Sequence, residues 1–129
     1  MPTSNLNRQN VVLNDGLDSI VIVKDLGDVP AGRTLDVSGV ADDVTVIKSG
    51  HILVIDDTTK VVSPLDVSNN AYVALPTGKS YLGVLKASVL KSDPRAAILT
   101  IGQVNAAASP YPVTTAIKNG LPRIEFINY

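Results

Sequence analysis

Few side chains in this chain could do chemistry. It has one histidine, His51, one glutamate, Glu125, and no cysteine. A lone imidazole cannot build a multi-histidine metal site, and as a general base it would need a serine and an acid placed by folding. His51 stands just before the apolar run ILVI and is expected on the polar side of a turn, in a structural role. Residues 76–80, PTGKS, carry the Gly-Lys-Ser end of a phosphate-binding loop, but the glycine required five positions before Gly78 is Val73. Without that glycine the backbone cannot wrap a phosphate, and the segment reads as a tight turn feeding a strand. Asp42-Asp43 and Asp56-Asp57 lack the alternate-ligand spacing of a calcium loop. They read instead as turn residues whose carboxylates bond nearby backbone amides. Glu125 has no acidic partner for paired-carboxylate hydrolysis. No catalytic, cofactor-binding or metal-binding residue is expected, and the chain reads as a non-enzyme that needs no cofactor.

The elements around these residues are legible from composition. At 129 residues the chain suits one domain, residues 11–129, behind a polar arm, residues 1–10. The hydrophobic fraction of 45% is ample for a core, while aromatics make up only 4% and tryptophan is absent. The core must be filled by Val, Leu, Ile and Ala, and the weight of β-branched residues favours strands. A net charge of −1, with Lys and Arg dispersed, gives no footprint for phosphate neutralisation, so no nucleic-acid partner is expected. No apolar run approaches the ~20 residues that span a bilayer. The segment MPTSNLNRQN shows no apolar signal core, so a soluble product without a membrane partner is expected.

Along the chain, Asn14-Asp15-Gly16 stands between apolar runs as a hairpin signal, with a strand expected over Ser19–Lys24. Pro30 and Gly32 mark a turn before a strand at Thr34–Val37. Short strands follow at 44–47, 51–55 and 60–62, then a mixed stretch at 64–80 interrupted by Pro64 and Pro76. Strands are expected at 81–90 and 96–101, with a loop between them. A short helix is expected from Pro112, with Val113, Ala116 and Ile117 on one face and Gly120 as its C′ cap. A strand closes the chain, with Ile124 and Phe126 alternating against Arg123 and Glu125. The fold class is mostly β: a small barrel or roll of short strands, one short C-terminal helix and an extended N-terminal arm. In LTIGQVNAAASPYP, residues 99–112, Gly102 should permit a close backbone approach or a positive φ, and Asn105 should bond local backbone. Ala106–Ala108 should be small because another backbone passes nearby.

Three segments carry a family resemblance. VIKSGHILVID resembles a strand after a glycine turn, and YLGVLKASV resembles a "GVL" strand centred on Gly83. The segment AAILTIGQVNAAASPYPVTTAIKNGLPRIEF resembles a closing signature, falling here on Gly102, Val104, Asn105, Ala106, Ala107, Ile117, Lys118, Leu121, Pro122, Ile124 and Phe126. Together, from Val44 to Phe126, the chain resembles the head-decoration and head-fibre proteins of tailed bacteriophages. The resemblance implies a non-enzymatic virion protein on the outer surface of an assembled phage head. It would be a homotrimer bound to the major capsid protein, stabilising the shell and in some cases carrying further head-fibre proteins. The rival is a carbohydrate- or receptor-binding β module displayed on the virion, for which Tyr72, Tyr81, Tyr111 and Tyr129 are the available stacking rings.

Overall fold

Residues 52–55, ILVI, are apolar in succession, which suits a strand only when both of its faces are covered. The computed structural model of the chain describes residues 18–128 and shows that covering. Ile52 and Val54 point into one hydrophobic cluster, with Leu65, Val84, Leu99, Val104 and Ile124. Leu53, between them, points into a second cluster with Leu35, Val62, Leu85 and Ile98. The period of two is intact; the sheet is simply buried on both sides.

The elements in order are α1 (Asp18–Val21), β1 (Ile22–Asp28), β2 (Arg33–Thr34), β3 (Val46–Ile47), β4 (Ile52–Asp56) and β5 (Val62–Pro64). Then come β6 (Val67–Ser68), β7 (Ala71–Tyr72), β8 (Lys79–Leu85), β9 (Val89–Leu90), β10 (Arg95–Ala96) and β11 (Ile98–Asn105). A 3-10 turn (Ala106–Ala108), α2 (Thr115–Gly120) and β12 (Ile124–Ile127) complete the described chain. The main sheet runs β1-β11-β8-β4-β5, with β12 also paired to β11. Three two-stranded ribbons, β2 with β10, β3 with β9 and β6 with β7, surround it. The protein is mostly β, as expected. No sheet among the described residues closes on itself, so of the barrel and the roll the open arrangement stands.

β11 is shared. β1 runs antiparallel along one side of it from Ile22↔Val104 to Asp28↔Leu99. On its other side Ile98 and Leu99 pair with β8, and Gly102–Asn105 pair in parallel with β12. Two glycines make this possible. A Cβ on Gly102 would collide with the Lys24 carbonyl oxygen, and one on Gly83 would collide with the Leu99 carbonyl oxygen. The close approach expected at Gly102 is therefore present.

Asn105 behaves as read. Its side-chain Oδ1 accepts from the Ala107 N–H at 3.1 Å and caps the 3-10 turn. Ala108 is buried in the core cluster, while Ala107 is exposed.

Several expected boundaries move. Ser19–Lys24 is not one strand, because a helical turn occupies residues up to Val21 before β1 begins. Thr34–Val37 shrinks to the two-residue β2, and 44–47 to the two-residue β3, since the Val44 N–H closes a turn onto the Ala41 carbonyl at 3.1 Å. The strand expected at 60–62 is displaced to 62–64, as Lys60 takes a left-handed φ of 62° in the preceding turn. Residues 81–90 split into β8 and β9, and 96–101 extends to Asn105. The helix begins later than Pro112: Thr114 is its N-cap, with Oγ1 accepting from the Ile117 N–H at 3.3 Å. Gly120 is its last residue rather than its C′ cap, and a Cβ there would strike the Tyr81 ring. The hairpin at residues 14–16, the arm and Tyr129 lie outside the described residues.

Gly83→Ala and Gly102→Ala should each lower unfolding free energy by on the order of 1–3 kcal/mol, the usual cost of overpacking. Gly78, with φ 85° and nothing around its Cβ position, tests conformation alone. Gly78→Asn should stay within about 0.5 kcal/mol of wild type, because asparagine tolerates left-handed backbone. Denaturant midpoints measure all three.

Candidate binding site

The sequence-selected polar motifs resolve into turns. Asp56 Oδ1 accepts from the N–H groups of Thr58 at 2.8 Å and Thr59 at 2.9 Å, closing the β4–β5 hairpin. These bonds hold the Asp56 carboxyl below the usual carboxylate range. PTGKS is a turn in which the Lys79 N–H donates to the Pro76 carbonyl at 3.3 Å as β8 begins, and the Ser80 hydroxyl donates to Asp57 at 2.6 Å. Glu125, on β12, accepts from the Gln103 side-chain amide at 2.9 Å.

His51 departs from expectation. It is only 8% exposed rather than set on the polar side of a turn. The glycine turn before it delivers it inward: Gly50 has φ 94°, and a Cβ there would stand 2.8 Å from a Val21 methyl and 3.1 Å from the Pro110 ring. The imidazole then meets Tyr72 edge-on with centroids 5.3 Å apart, and Tyr111 edge-on at 5.8 Å. Tyr72 and Tyr111 are themselves 5.4 Å apart, so the three rings form one triangle. Edge-to-face rings gain quadrupole attraction beyond the area they bury. His51 Nε2 lies 2.9 Å from the Leu65 carbonyl oxygen, which can only accept. Nε2 therefore carries the proton, and in the neutral ring Nδ1 is an acceptor. Burial pushes the imidazole below its ordinary value, against the weaker pull of the Leu65 bond and the Asp66 carboxylate. The Tyr72 hydroxyl accepts from the Ile52 N–H at 3.2 Å, and burial pushes that phenol up.

This triangle borders a cleft of about 680 Å³. One wall is the loop from Gly39 to Thr45 and β3. Lys91 staples that loop by donating to the carbonyls of Val40 at 3.2 Å and Ala41 at 3.1 Å. The cleft is also lined by residues 64–67, by Asn69 and Asn70, and by Pro110 and Tyr111. Asn69 and Asn70 have φ of 54° and 61°, making the two-residue loop of the β6–β7 hairpin. Two left-handed residues in such a loop match the right-handed twist of the flanking strands. The Asn69-Asn70 pair is the sequence signal for this hairpin within the stretch 64–80.

His51 Nε2 bonds the Leu65 carbonyl rather than a serine. Ser109 Oγ, next to Pro110, is buried with no hydrogen-bond partner, so it is not bonded to His51. No group of three or more His, Asp or Glu able to hold a metal occurs among the described residues. Their helices include none long and apolar enough to cross a membrane. Comparison with protein-family models, curated proteins and solved structures finds no match for the chain.

A second feature lies on β1, at the edge of the main sheet. Its register with β11 breaks between Ile22 and Lys24, and again between Asp25 and Gly27. The extra residues of these two bulges are Val23 and Leu26. They are 41% and 61% exposed, and Ile20 just before them is 47% exposed. A bulge re-aims side chains out of the ladder, and here it turns two large apolar ones to solvent. Lys86 clamps the bent strand by pairing with both Asp25 and Asp28. Those two carboxylates raise the Lys86 pKa, so the clamp stays charged.

His51 makes stability depend on pH. Its pKa is depressed in the folded state, so the unfolded chain binds the extra proton first as pH falls. Stability is fully present above the unfolded value near 6.5 and declines as pH drops below it. Asp66 and Lys48 are the other charged groups that line the cleft. Urea midpoints across pH 5–7 should fall toward acid in wild type, and the slope should flatten in His51→Gln.

Proposed function

We propose that the chain is a non-enzymatic structural protein of a virus particle, seated as a homotrimer on the outer surface of an assembled phage head. There it binds the major capsid protein and stabilises the shell, and it can serve as a mount for further head-fibre proteins. The family resemblance of Val44–Phe126 motivates the virion reading. The observation that carries the assembly part is the set of exposed apolar side chains at Ile20, in α1, and at Val23 and Leu26 on β1. Edge strands in isolated proteins are normally blunted with charge and bulges. β1 has the bulges, yet it uses them to present aliphatic side chains outward. Closed symmetric oligomers bury such patches against copies of themselves. A trimer then engages a shell through three modest contacts at once, gaining avidity without a strong single site.

Light scattering should return a trimer for the wild-type protein, and cosedimentation with assembled heads lacking the protein should show saturable binding. The double variant Val23→Asp/Leu26→Asp should keep its secondary structure by circular dichroism while dissociating to monomers. Its binding to heads should weaken by on the order of 10²-fold as avidity is lost. A strictly monomeric wild type, or one that ignores the heads, overturns the reading.

A further inference from the structure

We infer that the cleft between the Gly39–Thr45 loop and the β6–β7 hairpin is a binding site for a neutral saccharide. The site shares no residue with the exposed apolar set on α1 and β1, so it stands apart from the assembly reading and can fail without it.

Size is the first argument. About 680 Å³ lies within the range of small-ligand clefts, roughly 300–1,000 Å³. The second is His51, which lines the cleft and is more than nine-tenths buried. Its Nε2–H is committed to the Leu65 carbonyl, and none of the described residues donates to Nδ1. Nδ1 is not sealed in the core without a partner, so as the ring's remaining acceptor it can take a donor from water or from a ligand hydroxyl. An ammonium could donate as well, but it would bring a positive charge against the half-apolar lining formed by Pro64, Leu65 and Pro110.

Charge narrows the class further. The cleft's charged lining consists of Lys48 and Asp66, which cancel, so it holds no net field for a phosphate or a polyamine. The remaining polar lining combines acceptors and donors: the Asn69 and Asn70 amides and the Thr45 hydroxyl. Vicinal hydroxyls each donate and accept, and this mixture serves them better than it serves any single-sign ligand. Tyr111, half-buried in the lining, supplies an aromatic surface for the apolar C–H face of a sugar ring. Because Tyr111 is braced by His51 and Tyr72, that surface is preorganised rather than assembled on binding.

The test is a nitrogen-15 amide titration of the intact protein with glucose, galactose, mannose, N-acetylglucosamine and their disaccharides. At least one should produce saturable shifts confined to residues 39–48, 51, 64–70 and 110–111. Two variants on exposed positions separate binding from folding. Asp66→Ala removes the carboxylate, and the double change Asn69→Gly/Asn70→Gly keeps a left-handed loop while deleting both amides. Each should weaken binding by about tenfold or more, the weight of a hydrogen bond involving a charged or desolvated group. In long-range imidazole spectra the His51 Nδ1 resonance should move on saturation while Nε2 keeps its proton. If no sugar moves these amides at millimolar concentrations, the inference is overturned. It is equally overturned if inorganic phosphate produces the same shifts, or if both variants bind as wild type does.

Discussion

Everything in this structure hangs on how closely β11 can be approached. Eight residues must satisfy backbone partners from β1 on one side and from β8 and then β12 on the other. Ordinary side chains at both contact points would push the neighbours away, so Gly83 and Gly102 leave room for the Leu99 and Lys24 carbonyls. Where β11 ends, the Asn105 cap turns the chain through Ala106–Ala108 and delivers Tyr111 against His51. Along its other flank the same strand holds β1 bent, with Thr100 Oγ1 donating to the Gly27 carbonyl at 3.2 Å. The cleft and the apolar edge are thus two products of one shared strand.

The β character was legible because it rests on local causes. Valine-rich runs punctuated by Gly, Pro and Asp decide strand and turn without help from distant residues. The Asp56 turn, the Asn105 cap and the turn before β8 were readable for the same reason, since each is closed by hydrogen bonds between residues a few positions apart. What escaped was set by partners far along the chain. His51 is buried only because Tyr72 and Tyr111 arrive from other segments, and nothing beside it announces them. The bulges at Val23 and Leu26 exist only relative to the register of β11. Gly120 was read as a cap from its position, whereas the Tyr81 ring packed against it fixes its identity.

The two functional features differ in chemical kind. The apolar set on α1 and β1 is aliphatic, shallow and exposed, suited to burial against a flat partner. The cleft is concave and mixed in polarity, with a neutral imidazole held in a single tautomer by Leu65. Neither contains a hydrogen-bonded serine–histidine pair, and Ser109 Oγ is buried without a hydrogen-bond partner.

The bulged register of β1 also bears on the order in which the chain assembles. Ile22 pairs with Val104, and most of the described sequence lies between the two. Contacts so distant in sequence form slowly, and an apolar strand left waiting invites pairing with other chains. In β1, Lys24, Asp25 and Gly27 interrupt the apolar residues, so the segment cannot lie down as a flat, uniformly apolar ladder on a stray neighbour. The spacing that turns Val23 and Leu26 outward in the finished protein therefore also guards the unfinished one against aggregation.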